Sequence, residues 1–291
     1  MFRGCFVASV TPFQGGAIDM RAFGDHLEWL IDSGVHGLVP CGTTGEAATM
    51  SVEEHIDCIK AAVRIVKGRV PVIAGAGANG TVEAVALVQA AKQVGADAAL
   101  VVTPYYVKPS QQGLYEHFAA VAEQADLPMV LYNVPSRTGV NLLPQTVERL
   151  AALPQIVAVK EAGGTIHQTI EIRARAPRLA VLSGDDNLYL PHLAVGAQGI
   201  ISVLANVAPA PWSQLYEHFA AGRFSEAQRI FLRLFPACKA MFIESNPMPV
   251  KAAMVMLGRC GPELRLPLTQ ISPENHAQLQ GVLRECGILD A

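Results

Sequence analysis

The chain has no CxxC pair among its six cysteines, Cys5, Cys41, Cys58, Cys238, Cys260 and Cys286, so neither a zinc knuckle nor a redox dithiol is indicated and free buried thiols are expected. It has no run of the ~18 apolar residues that a membrane helix needs. Its first residues, Met1-Phe2-Arg3-Gly4-Cys5, lack the charged region and following apolar stretch of a secretory leader. A cytoplasmic protein with no membrane partner is expected. There is no block of like charge either: 22 Lys+Arg stand against 25 Asp+Glu, a formal −3, which excludes a basic footprint for nucleic acid as well as an acidic tail. Charged residues are scarce, 16% against about 25% in ordinary domains. With 51% hydrophobic residues, disorder is excluded and much surface must be hidden, in a large core or between subunits. A homo-oligomer is expected.

What is present is a repeating pattern. Eight short apolar runs recur: Cys5 to Val10, Gly37 to Cys41, Val70 to Ala74, Ala98 to Val102, Met129 to Tyr132, Ile156 to Val159, Leu179 to Leu182 and Gly199 to Val203. They mostly lack alternation, as strands buried on both faces of a parallel sheet do. Stretches with helical spacing lie between them, at Met20 to Ser33, Thr81 to Val94, Ser110 to Gln124, Pro144 to Leu153, Ile166 to Arg175, Asp186 to Val195 and Pro209 to Ala221. Another opens at Ser51, where Ser51 and Glu54 have the spacing of a capping box. Strict β/α alternation leaves a doubly wound sheet or a closed barrel, and eight units without a division into halves favour the α/β (β/α)8 TIM barrel. Beyond Ala221 the pattern is helical only, at Phe224 to Phe242, Pro249 to Leu257 and Pro273 to Cys286. The expected organisation is a barrel domain over 1–222 and a C-terminal helical region over 223–291.

Gly75-Ala-Gly77-Ala-Asn79-Gly80 matches the GxGxxG dinucleotide fingerprint, with Asp97 about twenty residues on. In a dinucleotide fold the acid closes the next strand, whereas Asp97 precedes the Ala98 to Val102 run, so a tight βα loop is the better reading. Chemistry in a barrel collects where strands end. Those positions include Thr11-Pro12, Gly42-Thr43-Thr44-Gly45-Glu46, Thr103-Pro104-Tyr105-Tyr106, Tyr132 to Gly139, Lys160-Glu161, Ser183-Gly184-Asp185-Asp186 and Ser202 to Asn206. They contain no His, Asp or Glu trio with metal-ligand character.

Of the lysines, Lys160 alone closes an apolar run, Ile156-Val-Ala-Val-Lys160. Burial favours the neutral form of a lysine, and a neutral amine attacks a ketone to make a Schiff base. The alternative is a lysine paired with Glu161 or another carboxylate. Tyr132 and Tyr106 also end strands and can carry protons if Thr43 or Thr44 links them, or they are packing residues with satisfied hydroxyls. Arg137, in a proline-bounded loop beside Tyr132, offers a planar fork for a carboxylate, or a surface ion pair. The Gly42 to Gly45 turn offers hydroxyls and N–H groups to another carboxylate.

Gly42-Thr-Thr-Gly-Glu46, Thr103-Pro-Tyr-Tyr106, Tyr132-Asn-Val-Pro-Ser-Arg-Thr-Gly139, Val159-Lys-Glu-Ala162, Ser183-Gly-Asp-Asp186 and Asn246-Pro-Met-Pro-Val-Lys251, in this order, resemble the dihydrodipicolinate synthase family. That family lies within the pyruvate-dependent class I aldolases, which include N-acetylneuraminate lyase. The turn, the tyrosine and the lysine are shared across that superfamily. Arg137 and the double tyrosine point to the synthases. Val39-Pro40-Cys41 before the turn and Gly163, where the family often has Thr or Ser, depart mildly from the pattern.

The resemblance implies condensation of pyruvate with L-aspartate 4-semialdehyde, without cofactor or metal, in a homotetramer built as a dimer of tight dimers. It implies an imine on Lys160, proton transfer by Tyr132 with Thr43 and Tyr106, the latter reaching across the tight dimer, pyruvate held by Thr44, Gly184 and the backbone of Ile201, and the semialdehyde carboxylate on Arg137. The positions matching the lysine-feedback cleft of sensitive relatives are Ala47, Ala48, Val52, His55, Asn79, Glu83 and Tyr105. Ala47 and Val52 stand where those relatives often carry Ser and His, so weak or absent feedback is expected. The competing readings are a pyruvate lyase acting on a sugar acid, which keeps Lys160 and Tyr132, and a non-catalytic binding barrel.

Overall fold

The computed structural model describes residues 2–290. Eight barrel strands follow one another in the chain: β1 Gly4–Ala8, β2 Gly37–Val39, β3 Ile73–Gly75, β4 Ala98–Val102, β5 Met129–Asn133, β6 Ile156–Glu161, β7 Ala180–Ser183 and β8 Gly199–Ser202. Nearly every residue in them is buried, which accounts for the unalternating apolar runs. Helices separate them, and the strands hydrogen-bond in the order β2-β1-β8-β7-β6-β5-β4-β3. Sequential neighbours are thus paired along the sheet, the signature of a (β/α)8 barrel.

Two compact units make up the chain, one centred on Pro71–Ile201, the other on Gly4–Val70 with residues 202–290. In the first, parallel register sets Tyr132 beside Lys160 and Asn133 beside Glu161, then Lys160 beside Leu182 and Glu161 beside Ser183. β6 runs beyond its apolar stretch because the ladder continues through two buried polar residues, Lys160 and Glu161. The expected tight βα loop is present: a Cβ on Gly77 would lie 2.5 Å from the Val102 nitrogen, so only glycine permits that approach. Asp97 caps the opposite end of the sheet, its Oδ2 accepting from the Val72 N–H at 2.8 Å.

In the second unit, β1 pairs with β2 in parallel. Helix Val52–Val66 opens with the capping box read from sequence: Ser51 Oγ accepts from the Glu54 N–H at 3.2 Å and Glu54 Oε2 from the Ser51 N–H at 3.0 Å. After helix Pro209–Ala220 come helices Phe224–Ala240, Met248–Met256 and Pro273–Glu285, with the Trp212 and Phe231 rings stacked at 6.2 Å.

Two local expectations are corrected. The stretch 186–195 opens as a 3-10 turn, Asp186–Leu188, before helix Tyr189–Ala194. An α-helix starting at Asp186 would drive the Pro191 ring into the carbonyl of Asn187. Arg137 sits on a one-turn helix, Pro135–Thr138, rather than in a loop; Pro135 sets its first turn and Gly139, at φ +74°, ends it. An antiparallel pair, Phe13–Gln14 with Ala17–Ile18, follows β1 and is too short to show as a pattern.

Candidate active site

In the first unit, the pairing of β5 with β6 brings two of the expected residues together. The Lys160 ammonium nitrogen lies 4.3 Å from the centroid of the Tyr132 ring, and both side chains are buried. Gly184 closes over the lysine: a Cβ there would stand 3.0 Å from Lys160 Cε and 2.6 Å from Ala162 Cβ. Its own N–H donates to the Glu161 carbonyl at 2.6 Å, and Ile200 on β8 is in register with Ser183, which sets the buried Ile201 one residue along the same strand end. A desolvated amine beside a phenol suits addition to a small ketone followed by proton transfer.

Glu161 does not pair with Lys160. Successive strand residues face opposite ways, so its carboxylate turns to a separate set of groups. Asn133 Nδ2 donates to its two oxygens at 3.2 and 3.1 Å, the Gly163 N–H to Oε1 at 2.8 Å, and Gln168 Nε2 to Oε2 at 2.8 Å. Burial pushes this carboxyl up to about 7, with the hydrogen bonds opposing that shift. Burial likewise raises Asp185, which the charge of Lys160 pulls back down and whose Oδ2 accepts from the Gly164 N–H at 3.0 Å. The network was missed in the sequence, though a Glu directly after a strand-closing lysine is the signal that could have found it.

Arg137 is exposed, on the short helix that starts two residues after Asn133. Beneath it, Thr138 is buried and accepts from the Thr103 hydroxyl at 3.2 Å. Tyr106 is 88% exposed and held at φ +72°, a conformation unusual for a side chain of this size, and Tyr105, Val107 and Lys108 beside it are exposed too. Asn79 is half-buried and Glu83 exposed on helix Thr81–Gln93.

The second unit holds the Gly-Thr-Thr-Gly-Glu turn. Thr43 is half-buried and Thr44 buried, its hydroxyl accepting from Asn246 Nδ2 at 3.0 Å. Gly45 is tightly packed, since a Cβ would lie 3.0 Å from the Cys41 nitrogen and 3.1 Å from the Ser9 oxygen. Glu46, in the left-handed region at φ +57°, is buried against Lys251, which pairs with it, and it accepts from the Arg265 N–H at 3.3 Å. Burial lowers Lys251 while Glu46 opposes the shift. The Asn246 to Lys251 motif is therefore the scaffold of the turn, two contacts sequence reading had not assigned. Ala48 is exposed, and His55 buried, on this unit.

No helix among the described residues is long and apolar enough to cross a membrane. A buried lysine beside a tyrosine at adjoining strand ends of a (β/α)8 barrel suits a lyase of the class I aldolase type, and similarity to known proteins assigns the chain to that class. The profile of the Dihydrodipicolinate synthetase family matches residues 1–286, and the chain belongs to that family. It is 50% identical over 290 residues to the 4-hydroxy-tetrahydrodipicolinate synthase of Thermodesulfovibrio yellowstonii, covering 99% of this chain and 100% of the other. The crystal structure of dihydrodipicolinate synthase from Aquifex aeolicus is similar at 47% identity and TM-score 0.97 over 100% of both chains. That of the Acinetobacter baumannii enzyme complexed with pyruvate is similar at 42% identity and TM-score 0.97, over 99% of this chain and 100% of the other.

Proposed function

We propose that this chain condenses pyruvate with L-aspartate 4-semialdehyde to 4-hydroxy-tetrahydrodipicolinate, the committed step toward diaminopimelate and lysine. The observation that carries the chemistry is the buried Lys160 amine lying over the Tyr132 ring with Gly184 against its stem. The Lys160 amine adds to the pyruvate ketone; loss of water gives an imine, and loss of a methyl proton gives an enamine. The enamine carbon attacks the aldehyde, and cyclisation through the substrate amine releases the lysine. Tyr132 moves the protons, with Thr43 and Tyr106 completing the relay. Thr44, Gly184 and the backbone of Ile201 hold pyruvate, and Arg137 takes the semialdehyde carboxylate in a bidentate fork. The pyruvate complex of the similar Acinetobacter baumannii enzyme supports the first substrate.

The exposed, strained Tyr106 supports a site completed by a second copy, in a homotetramer assembled as a dimer of tight dimers. The catalytic domain is 1–222 and the helical region 223–291, in a cytoplasmic enzyme. Incubation with pyruvate and borohydride should add one reduced pyruvyl group per chain, on the peptide containing Val157 to Glu161. Label on another lysine would refute the assignment, and a chain that takes up no label would be a binding barrel. A coupled assay with both substrates decides against a sugar-acid lyase, which would show no turnover with the semialdehyde.

A further inference from the structure

The strand ends that carry Tyr132 and Lys160 are joined behind the site by polar groups with no place in the reaction itself. Asn133, one residue after Tyr132, donates to the Glu161 carboxylate and also, at 2.8 Å, to Asn141 Oδ1; its Oδ1 accepts from the Leu142 N–H at 2.9 Å. Gln168, on helix Ile166–Arg175, donates to Glu161 at 2.8 Å and to the Leu142 carbonyl at 3.0 Å, and its Oε1 accepts from Asn141 Nδ2 at 2.9 Å. Asn141 and Leu142 end the segment on which Arg137 rides. All the groups aimed at Glu161 are donors, so the site needs an acceptor-only side chain, which a carboxylate is and an amide or a protonated acid is not.

We propose that Glu161 is a positioning residue whose carboxylate, held by Asn133, Gln168 and the Gly163 N–H, fixes the Arg137-bearing segment against the strand ends of Tyr132 and Lys160. It acts on the second substrate more than on the imine, because Lys160 is already fixed by the parallel ladders to β5 and β7, whereas residues 134–142 lie outside those ladders and are tied to the strand ends by side-chain hydrogen bonds, at Leu142 from Asn133 and Gln168 and at Thr138 from Thr103. The inference rests on the proposed condensation and names what orients its aldehyde partner.

Charge on Glu161 is what the network needs, and burial sets the carboxyl near neutrality, at about 7. The groups facing it are neutral Asn133 on β5, neutral Gln168 on the following helix, the Gly163 N–H, and Asp185 beyond β7, a like charge that raises it further. Acidification therefore places a proton among donors. The KM for the semialdehyde should rise as pH falls through about 7, with pyruvate imine formation much less affected.

The test is the full-length enzyme against Glu161→Gln, with imine trapping and semialdehyde KM measured across roughly pH 6 to 8. Expected are a KM raised about fivefold or more at the alkaline end, trapping within about twofold of the parent, and no break near neutrality in the variant, in contrast to the parent. Parent-like KM with the same break overturns the inference while leaving the condensation intact; a parent enzyme with no imine or no turnover overturns both. A general loss of packing would lower kcat and trapping together and keep the break, which also counts against it. Should Glu161→Gln not fold, Gln168→Met keeps the carboxylate but removes one donor, so the break must move to higher pH, and an unmoved break overturns the proposal.

Discussion

Gly184→Ala is a small change with a large expected consequence. Gly184 is outside the positive-φ glycines, so alanine meets no backbone penalty and the effect is steric. The added methyl would stand 2.6 Å from Ala162 Cβ, 3.0 Å from Lys160 Cε and 3.2 Å from the Glu161 carbonyl oxygen. Ordinary carbon contacts are about 3.5–4.0 Å, so the Ala162 contact must open by about 1 Å and the lysine stem must yield by roughly half that. Ala162 has no rotamer to change, and the carbonyl is in a strand, which leaves the lysine stem as the group that moves. Overpacking of this kind costs about 1–3 kcal/mol, and since displacing a reacting group by about 1 Å costs about a hundredfold in rate, roughly half that displacement costs about tenfold. The variant should stay folded, with Tm lowered by several degrees, while kcat in the coupled assay and the rate of borohydride trapping both fall by about tenfold. Gly184→Ala combined with Ala162→Gly removes the tightest contact. It should recover most of the stability but little of the activity, since the contact with Lys160 persists. Full activity with unchanged trapping in the single variant would refute the placement of Gly184 against the nucleophile.

Replacing Arg137 with Ala should weaken use of the semialdehyde while trapping of pyruvate persists, and Lys should not fully rescue, because the two-pronged fork is lost. Lys251→Met strands the buried Glu46 without its ion partner, a loss of about 3–5 kcal/mol in urea unfolding, whereas Lys251→Met with Glu46→Gln should recover part of it; equal losses would show that the pair is not the cause. Mixed Tyr106→Phe and Lys160→Ala chains, each inactive alone, should regain some activity after verified exchange, and no regain would keep Tyr106 in its own subunit's site. Lysine should inhibit weakly, at millimolar concentration if at all, because Ala47 and Val52 remove two polar contacts worth roughly 0.5–1.5 kcal/mol each. A midpoint well below a millimolar, abolished in Glu83→Ala, would show that the remaining residues suffice.

Most strands and helices were legible from residue pattern alone, and the chemistry was legible as a resemblance carried by short motifs. Strands buried on both faces must be continuously apolar, so the eight runs were countable, and Lys160 stood out because a lysine closing such a run is costly unless it is used. Short-range geometry was legible for the same reason: the Ser51 and Glu54 capping box closes within one turn, and Gly77 is forced by a strand that neighbours it in the sheet. Pairing across the chain was not legible and emerges only on folding. Only the register of β5 with β6 sets Lys160 over Tyr132, and only the pleat turns Glu161 away to Asn133 and Gln168. Likewise Glu46 meets Lys251, and Thr44 meets Asn246, across some two hundred residues of chain. Such partners leave no periodic trace, because a buried polar group is satisfied by whichever donor the folded chain brings to it, and sequence separation places no limit on which that is.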